Sequence, residues 1–325
     1  MTIVGGGRWG RVWADVIAAA RGGGECVTMV ARQNTGEVRR WAGATPALRG
    51  MAVVDSIGAA FAVPPRASMA IIASRPRDHA RDGIEALANG AHVLVEKPIA
   101  GTAAEADALI QTAGASSRLL GVGTEFALHP AMHHFAASLR TADARSFSAA
   151  LDWIDPRGES RHGLQKARHD EVTVLHDLLP HAISVFRVLR PAARFELVEG
   201  QLWSSGRGGT MRFRDQWRSE YSLSCDADGD QRRRLLQIRS DGECGTVDFA
   251  QHPARLAAGG RSLRSPAAVR RLDSTLRLEL GAFAAQIAGA IQSSPLTSGL
   301  RELVNLQAAL EALGDRASLD RSLTI

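Results

Sequence analysis

Over residues 1–123 short apolar blocks alternate with alanine-rich stretches of helical period. This is the pattern of successive βαβ units, which build a parallel sheet covered on both faces. Strands are predicted over 2–4, 26–30, 52–54, 69–72, 92–95 and 119–122, and helices over 9–20, 35–41, 77–89 and 103–113, with Gly90 placed to end the third helix. After Thr124 the period changes. A helical piece over 131–139 gives way to segments in which apolar and polar residues alternate one by one, at 146–154, 194–203, 217–225, 233–239 and 245–249. Period two marks antiparallel sheet with one covered face. A helix over 172–189 interrupts these strands, and two amphipathic helices, 276–291 and 299–313, close the chain. The expected fold is an α/β domain with a doubly wound parallel sheet over 1–123, followed over 124–325 by an α+β domain with a mostly antiparallel open sheet.

Composition agrees with two cores. A chain of 325 residues is longer than one hydrophobic core usually serves, and 45% hydrophobic with 22% charged residues is the balance of a globular protein. The net charge of +5 is modest and the arginines are scattered, so no nucleic-acid partner is indicated, while a taste for small anionic ligands fits. Cys26, Cys225 and Cys244 form no CxxC pair and leave an odd thiol, which argues against a disulfide framework or a cysteine zinc site. The chain opens directly on the first strand, without a charged n-region, apolar run or cleavage site, and no later stretch reaches the length of a membrane span. A reduced, cytoplasmic setting with no membrane partner is the expectation.

Chemistry enters at the first turn. Gly5-Gly6-Gly7-Arg8-Trp9-Gly10 is a GxGxxG sequence between a predicted strand and a predicted helix. Gly5 suits the tight turn, Gly7 lets backbone approach a pyrophosphate, and Gly10 allows close helix–strand packing, so the first domain reads as a dinucleotide-binding Rossmann domain. The phosphates would rest on the helix N-terminus beside Arg8 and Trp9. At the end of the second strand, Met29-Val30-Ala31-Arg32-Gln33-Asn34 holds no carboxylate to receive a ribose 2′-hydroxyl, and Arg32 offers a guanidinium fork suited to a 2′-phosphate. NADP(H) is therefore favoured over NAD(H).

Further on, Ala70-Ile71-Ile72-Ala73-Ser74-Arg75-Pro76-Arg77-Asp78-His79 leads through a helix into Ala91-His92-Val93-Leu94-Val95-Glu96-Lys97-Pro98. This resembles the Gfo/Idh/MocA family of oxidoreductases, whose most specific mark is a Glu-Lys-Pro triplet after a strand, and the resemblance extends over nearly the whole chain. It implies an NAD(P)-dependent enzyme acting on CH–OH or C=O carbon, with C=N as an alternative. It implies that Ser74, Arg75, His79, Glu96, Lys97 and Pro98 line the cofactor, with a cis bond before the proline. By the same resemblance Lys97 lies beside nicotinamide and substrate. An ammonium there stabilises developing charge on oxygen.

The family's Asp-x-x-x-His pair is matched by Asp177 and His181. Four residues apart on a helix, both side chains project from one face. The catalytic set implied by the resemblance is thus Lys97, Asp177 and His181, with the histidine as proton carrier because its ordinary pKa lies near neutrality. Departures from the family surround this set. The glycine-rich lead into the helix is replaced by Arg168-His169-Asp170-Glu171-Val172-Thr173-Val174, Pro180 is expected to kink or delay the helix, and Gly123–Pro130 lacks the family's Arg-Phe. These changes touch the substrate, so Glu125 is a candidate substrate contact, and the arginine-rich loop from Trp153 through Arg157 to Arg168 reads either as a clamp for a substrate carboxylate or phosphate or as a solvated loop. A sugar, polyol or related small molecule is the first substrate class. An imine or ketone of specialised metabolism is the alternative, and a catalytically inactive cofactor-binding sensor is a reading from another class.

Two weaker signals remain. His129, His133 and His134 carry no HExxH pattern or acidic partner and read as solvated or capping histidines, so no metal is expected. Gln231-Arg232-Arg233-Arg234 reads as the charged end of a strand without assigned function. The second domain's sheet is the expected surface for a homodimer or homotetramer.

Overall fold

The computed structural model describes residues 1–62, 68–139, 146–161, 164–165, 171–203, 206–240, 243–251, 253–265 and 272–322. The chain divides into two compact units, Met1–Gly123 with Leu276–Arg301, and Thr124–Thr275 with Glu302–Ile325.

The first unit contains β1 (Thr2–Val4), α1 (Arg8–Arg21), β2 (Thr28–Val30), α2 (Thr35–Ala44), β3 (Ala52–Val54), α3 (Ile57–Ala62), β4 (Met69–Ile72), α4 (His79–Ala88), β5 (His92–Val95), α5 (Ala103–Ala115) and β6 (Leu120–Val122). Its six strands pair in parallel in the order β3-β2-β1-β4-β5-β6. Strands of three or four residues suffice because the central ones are apolar and covered. Ile3, Val4, Ile71, Ile72, Val93 and Val95 are fully buried, as a parallel sheet with helices on both faces requires. Helix α1 packs Trp13 and Ile17 inward and ends at Gly22, whose left-handed φ of 84° lets its N–H reach Ala18 O. Helix α5 starts with a reciprocal capping box between Thr102 and Glu105. The strand order reverses between β1 and β4, which opens a crevice at their carboxyl ends.

Sequence periodicity places residues 276–301 with the second half of the chain, but they cluster with the first. Val122 N–H donates to Leu296 O at 2.9 Å. Phe283, on α8 (Leu272–Ile287), is fully buried and lies where a Cβ on Gly121 would meet its ring at 3.1 Å. A local pattern shows that a helix has an apolar face but not which sheet will cover it.

The second unit begins with α6 (Pro130–Ser138) and β7 (Ser148–Pro156), then a short hairpin, β8 (Ser160–Arg161) and β9 (Leu164–Gln165), and α7 (Val174–Leu189). There follow β10 (Glu196–Trp203), β11 (Gly208–Arg214), β12 (Glu220–Gly229), β13 (Arg233–Ser240), β14 (Glu243–Asp248), β15 (Arg255–Ala258) and β16 (Arg261–Leu263). Its main sheet runs β10-β11-β12-β7-β13-β14-β15-β16, antiparallel except for the parallel β12–β7 pair. On β7 every second side chain, Ala149, Leu151, Trp153 and Asp155, is buried. These meet Leu175, Leu178, Leu179 and Ala182 of α7 in one core, to which α9 (Leu300–Ser322) adds Leu303, Leu306 and Leu310.

Strands β11, β15 and β16 and helix α3 were not foreseen. The two glycines that open β11 weaken its strand signal, and α3 is too short for periodicity to register. Pro180 does not break α7, which runs from Val174 to Leu189 with Thr173 capping it through the His176 N–H. The proline stands past the first turn, and the cost of its missing N–H is met by the packing of a helix whose Leu175, Leu178, Leu179 and Ile183 are all buried.

Candidate functional site

In the first unit the predicted cofactor residues gather at the carboxyl ends of β1, β4 and β5. Gly5 has a φ of +123°, and a Cβ there would lie 2.4 Å from Ala73 O, so the turn after β1 closes directly on the turn after β4. A Cβ on Gly10 would meet Gly5 O at 1.8 Å. Helix α1 therefore starts hard against the end of β1. A Cβ on Gly7 meets nothing within 4 Å, and no side chain caps the helix there. The loop is packed tightly at Gly5 and Gly10 and open at Gly7, the shape of a cradle for a phosphate at a helix N-terminus. Arg8 stands with its guanidinium over the Trp9 ring at 5.1 Å.

The turn carrying Lys97 is held from two sides. Glu96, 9% exposed, accepts from Trp13 Nε1 of α1 at 2.6 Å. The Lys97–Pro98 peptide is cis. His79, 1% exposed, brings Nδ1 to Pro98 O at 2.7 Å and Nε2 to Ser74 O at 3.2 Å. The imidazole thus bridges the turns after β4 and β5. A ring of contacts runs from α1 through Glu96, the Lys97–Pro98 turn, His79 and Ser74 back to Gly5, and fixes the turn that carries the half-buried Lys97. Arg75 lies exposed on the same rim.

Arg32 is not alone at the end of β2. Its Nη1 donates to Asp82 Oδ2 at 3.0 Å and its Nη2 lies 3.0 Å from Oδ1, with Glu85 at 3.9 Å. Asp82, from α4, is fully buried and also accepts from Arg81. The hydrogen bond to Asp82 raises the Arg32 pKa above its ordinary value. The strand-end sequence that lacks a carboxylate receives one from another helix. The Arg32 side chain is 34% exposed.

In the second unit Asp177 and His181 lie one turn apart on α7, His181 buried and Asp177 half-buried. The His181 imidazole stacks on the Trp153 indole, with ring centroids 5.5 Å apart and planes 16° apart. Phe126 meets both edge-on, at 5.2 Å and 5.3 Å. Trp153, 4% exposed, thus serves as a wall for His181. Glu125 opens the short helical turn Glu125–Leu128, which packs on α7. Arg157 is exposed just beyond β7, 3.9 Å from Asp228. Arg168 lies outside the described residues. His129 Nδ1 accepts from Ala131 N–H and caps α6, and among the described residues no group of His, Cys, Asp or Glu could hold a metal ion. Sequence reasoning missed Asp82 and Phe126, whose roles come from contacts across elements. It also missed the Asp155–Arg234 pair behind Trp153, for which strand alternation was the available signal.

These features define a dinucleotide-binding oxidoreductase fold with a second α+β unit. The family model described as an oxidoreductase family with an NAD-binding Rossmann fold, Gfo/Idh/MocA, matches residues 1–124. Residues 1–124 are thus the NAD-binding Rossmann domain of that oxidoreductase family. No curated protein sequence matches it. Solved structures share the fold over almost the full length. UDP-N-acetylglucosamine 3-dehydrogenase GnnA from Acidithiobacillus ferrooxidans is 20% identical at a TM-score of 0.73, covering 96% of this chain and 97% of that one. A dehydrogenase, MviM, from Clostridium difficile is 16% identical at 0.75, covering 97% and 98%. The 3-ketoreductase KijD10 from Actinomadura kijaniata, in complex with NADP and TDP-benzene, is 16% identical at 0.72, covering 96% of each chain. No described helix is long and apolar enough to cross a membrane.

Proposed function

We propose that the chain moves a hydride between NADP(H) and the hydroxyl or carbonyl carbon of a sugar, polyol or related small molecule. The observation that carries this reading is the turn bearing Lys97, clamped by Glu96–Trp13 and by His79 at the end of β5, beside a glycine loop that leaves room at Gly7. Gly5, Gly7, Gly10, Arg8 and Trp9 would hold the pyrophosphate, and Arg32 the 2′-phosphate. The nicotinamide, when bound, supplies the hydride acceptor or donor. The Lys97 ammonium stabilises negative charge on the reacting oxygen. His181 takes the hydroxyl proton in oxidation and returns it in reduction, and Asp177 orients substrate and imidazole. Two structural neighbours support the substrate class by their names, a UDP-N-acetylglucosamine dehydrogenase and a 3-ketoreductase holding NADP and a TDP derivative.

The test is a paired assay, following NADP⁺ reduction with sugars, polyols and nucleotide-linked sugars and NADPH oxidation with ketones and cyclic imines, with Lys97→Ala as the blank. Carbohydrate turnover that Lys97→Ala lowers by about 10²-fold or more, with NADPH binding retained, supports the proposal. Turnover confined to imines or non-sugar ketones makes the chain a biosynthetic reductase. NADPH binding without turnover on any substrate makes it a sensor. We further propose a cytoplasmic homodimer or homotetramer joined through the open face of the second unit's sheet, to be read from its mass by light scattering.

A further inference from the structure

Arg234 ends a run of three arginines, yet its surroundings differ from those of its neighbours. Arg233 is half exposed beside Asp152, and Arg232 pairs with Glu159. Arg234 is 8% exposed. It precedes Leu236 and Ile238 on the core face of β13, and β-sheet alternation therefore turns it inward with them. Across the sheet its register partner is Trp153 of β7. A guanidinium at a core position is costly unless it is paired. Its pair is Asp155, 4% exposed, two residues beyond Trp153 on the same face of β7, at 2.7 Å. The Arg234 guanidinium carbon sits 4.2 Å from the centre of the Trp153 indole. The same indole takes the His181 imidazole nearly parallel, and Phe126 closes on both rings edge-on.

An apolar pair of similar volume would hold this core as well as a buried ion pair does. What a planar, doubly constrained guanidinium adds is orientation, because it fixes the plane of the aromatic ring it covers. We propose that Arg234, pinned by Asp155, is a positioning residue for His181, setting the plane of Trp153 and through it the plane of the imidazole. Its catalytic importance rests on the proton-carrying role proposed above for His181; the positioning itself does not.

The experiment uses the full chain labelled at Cε1 of its 10 histidines, with the His181 resonance assigned by its loss in His181→Asn. In the unaltered protein the ring current of Trp153 displaces that resonance upfield, and Trp153→Leu marks its position without the stack. The double variant Arg234→Met/Asp155→Leu removes both charges together and leaves neither buried alone. Arg234→Lys keeps a cation for Asp155 but loses the planar group, and covers the case in which the double variant does not fold. In either variant the resonance is expected to move most of the way to the Trp153→Leu position. A resonance that stays in place in the folded variants overturns the proposal. Turnover separates the two readings. If His181→Asn keeps full turnover, the proton role fails while a moved resonance still supports positioning. If His181→Asn abolishes turnover and the resonance does not move in the variants, only the role of Arg234 fails.

Discussion

Asp82 grips Arg32 across both carboxylate oxygens, at 3.0 Å each, from a side chain with no exposed surface. The contact spans fifty positions of sequence and joins the end of β2 to α4. It removes much of the guanidinium's rotamer freedom while the side chain stays 34% exposed. An arginine already ordered in this way loses less entropy when it binds a phosphate.

Arg32→Ala is expected to raise the KM for NADPH relative to NADH by roughly ten- to a hundredfold, the equivalent of one charge-assisted hydrogen bond of about 1.5–3 kcal/mol. Equal effects on both cofactors would show that Arg32 does not read the 2′-phosphate. Asp82→Asn is expected to lower thermal stability by about 1–3 kcal/mol, since Arg32 and Arg81 then lose the buried carboxylate they share and keep only the flanking Glu85 and Asp78. A melting temperature unchanged from the parent would contradict that.

The glycine loop gives a contrast between two alanines. Gly10→Ala places a Cβ 1.8 Å from Gly5 O, where backbone meets backbone, and is expected to disrupt α1 and abolish cofactor binding. Gly7→Ala places its Cβ in open space at a φ of −79°, so the fold should melt at the parent temperature. Any loss of NADPH affinity in Gly7→Ala then reports the approach of the ligand itself. Calorimetric titration beside a thermal melt reads both.

Cys225 is buried beneath α7, and burial pushes its thiol up to about 12. Cys26 and Cys244 are exposed. A thiol reagent at about pH 8 should label two of the three cysteines in the native protein and the third only after denaturation, because the thiolate is the reactive form. Three fast-reacting thiols in the native state would mean that the packing at Cys225 opens readily.

Burial holds His176 below its ordinary value of 6.5, with Glu311 pulling weakly the other way. The folded protein binds this proton less readily than the unfolded chain, so the contribution of the neutral ring is complete above 6.5 and is lost as pH falls from there through the folded value. His176→Gln should therefore show a smaller drop in melting temperature between about pH 7.5 and about pH 5 than the parent. An identical drop in both would place the acid sensitivity elsewhere.

The site was legible in parts, and the division follows the range of the interactions. Gly5, Gly7 and Gly10 could be read because the strand–turn–helix they serve is local. Asp177 and His181 were singled out by the family resemblance, and helix geometry sets them one turn apart. The bridging place of His79 could not, because Ser74 O and Pro98 O reach it from the ends of two different strands. The aromatic wall of His181 draws on Phe126, Trp153 and α7, and no spacing in the sequence connects them. Pro180 leaves α7 continuous, and the helix begins at Val174, two residues later than its periodicity predicts.

By itself the sequence determined most of the elements, through the periods of two and 3.6 that short-range sterics and burial impose, and with them the parallel sheet, the mostly antiparallel sheet and the glycine turn after β1. Only the tertiary structure decided that residues 276–301 pack with the first unit, that Arg32 is held by a carboxylate from α4, and that Arg234 points into a core instead of into water. Partners chosen across long separations depend on which faces meet, and a face carries no mark in the sequence of the face that will cover it.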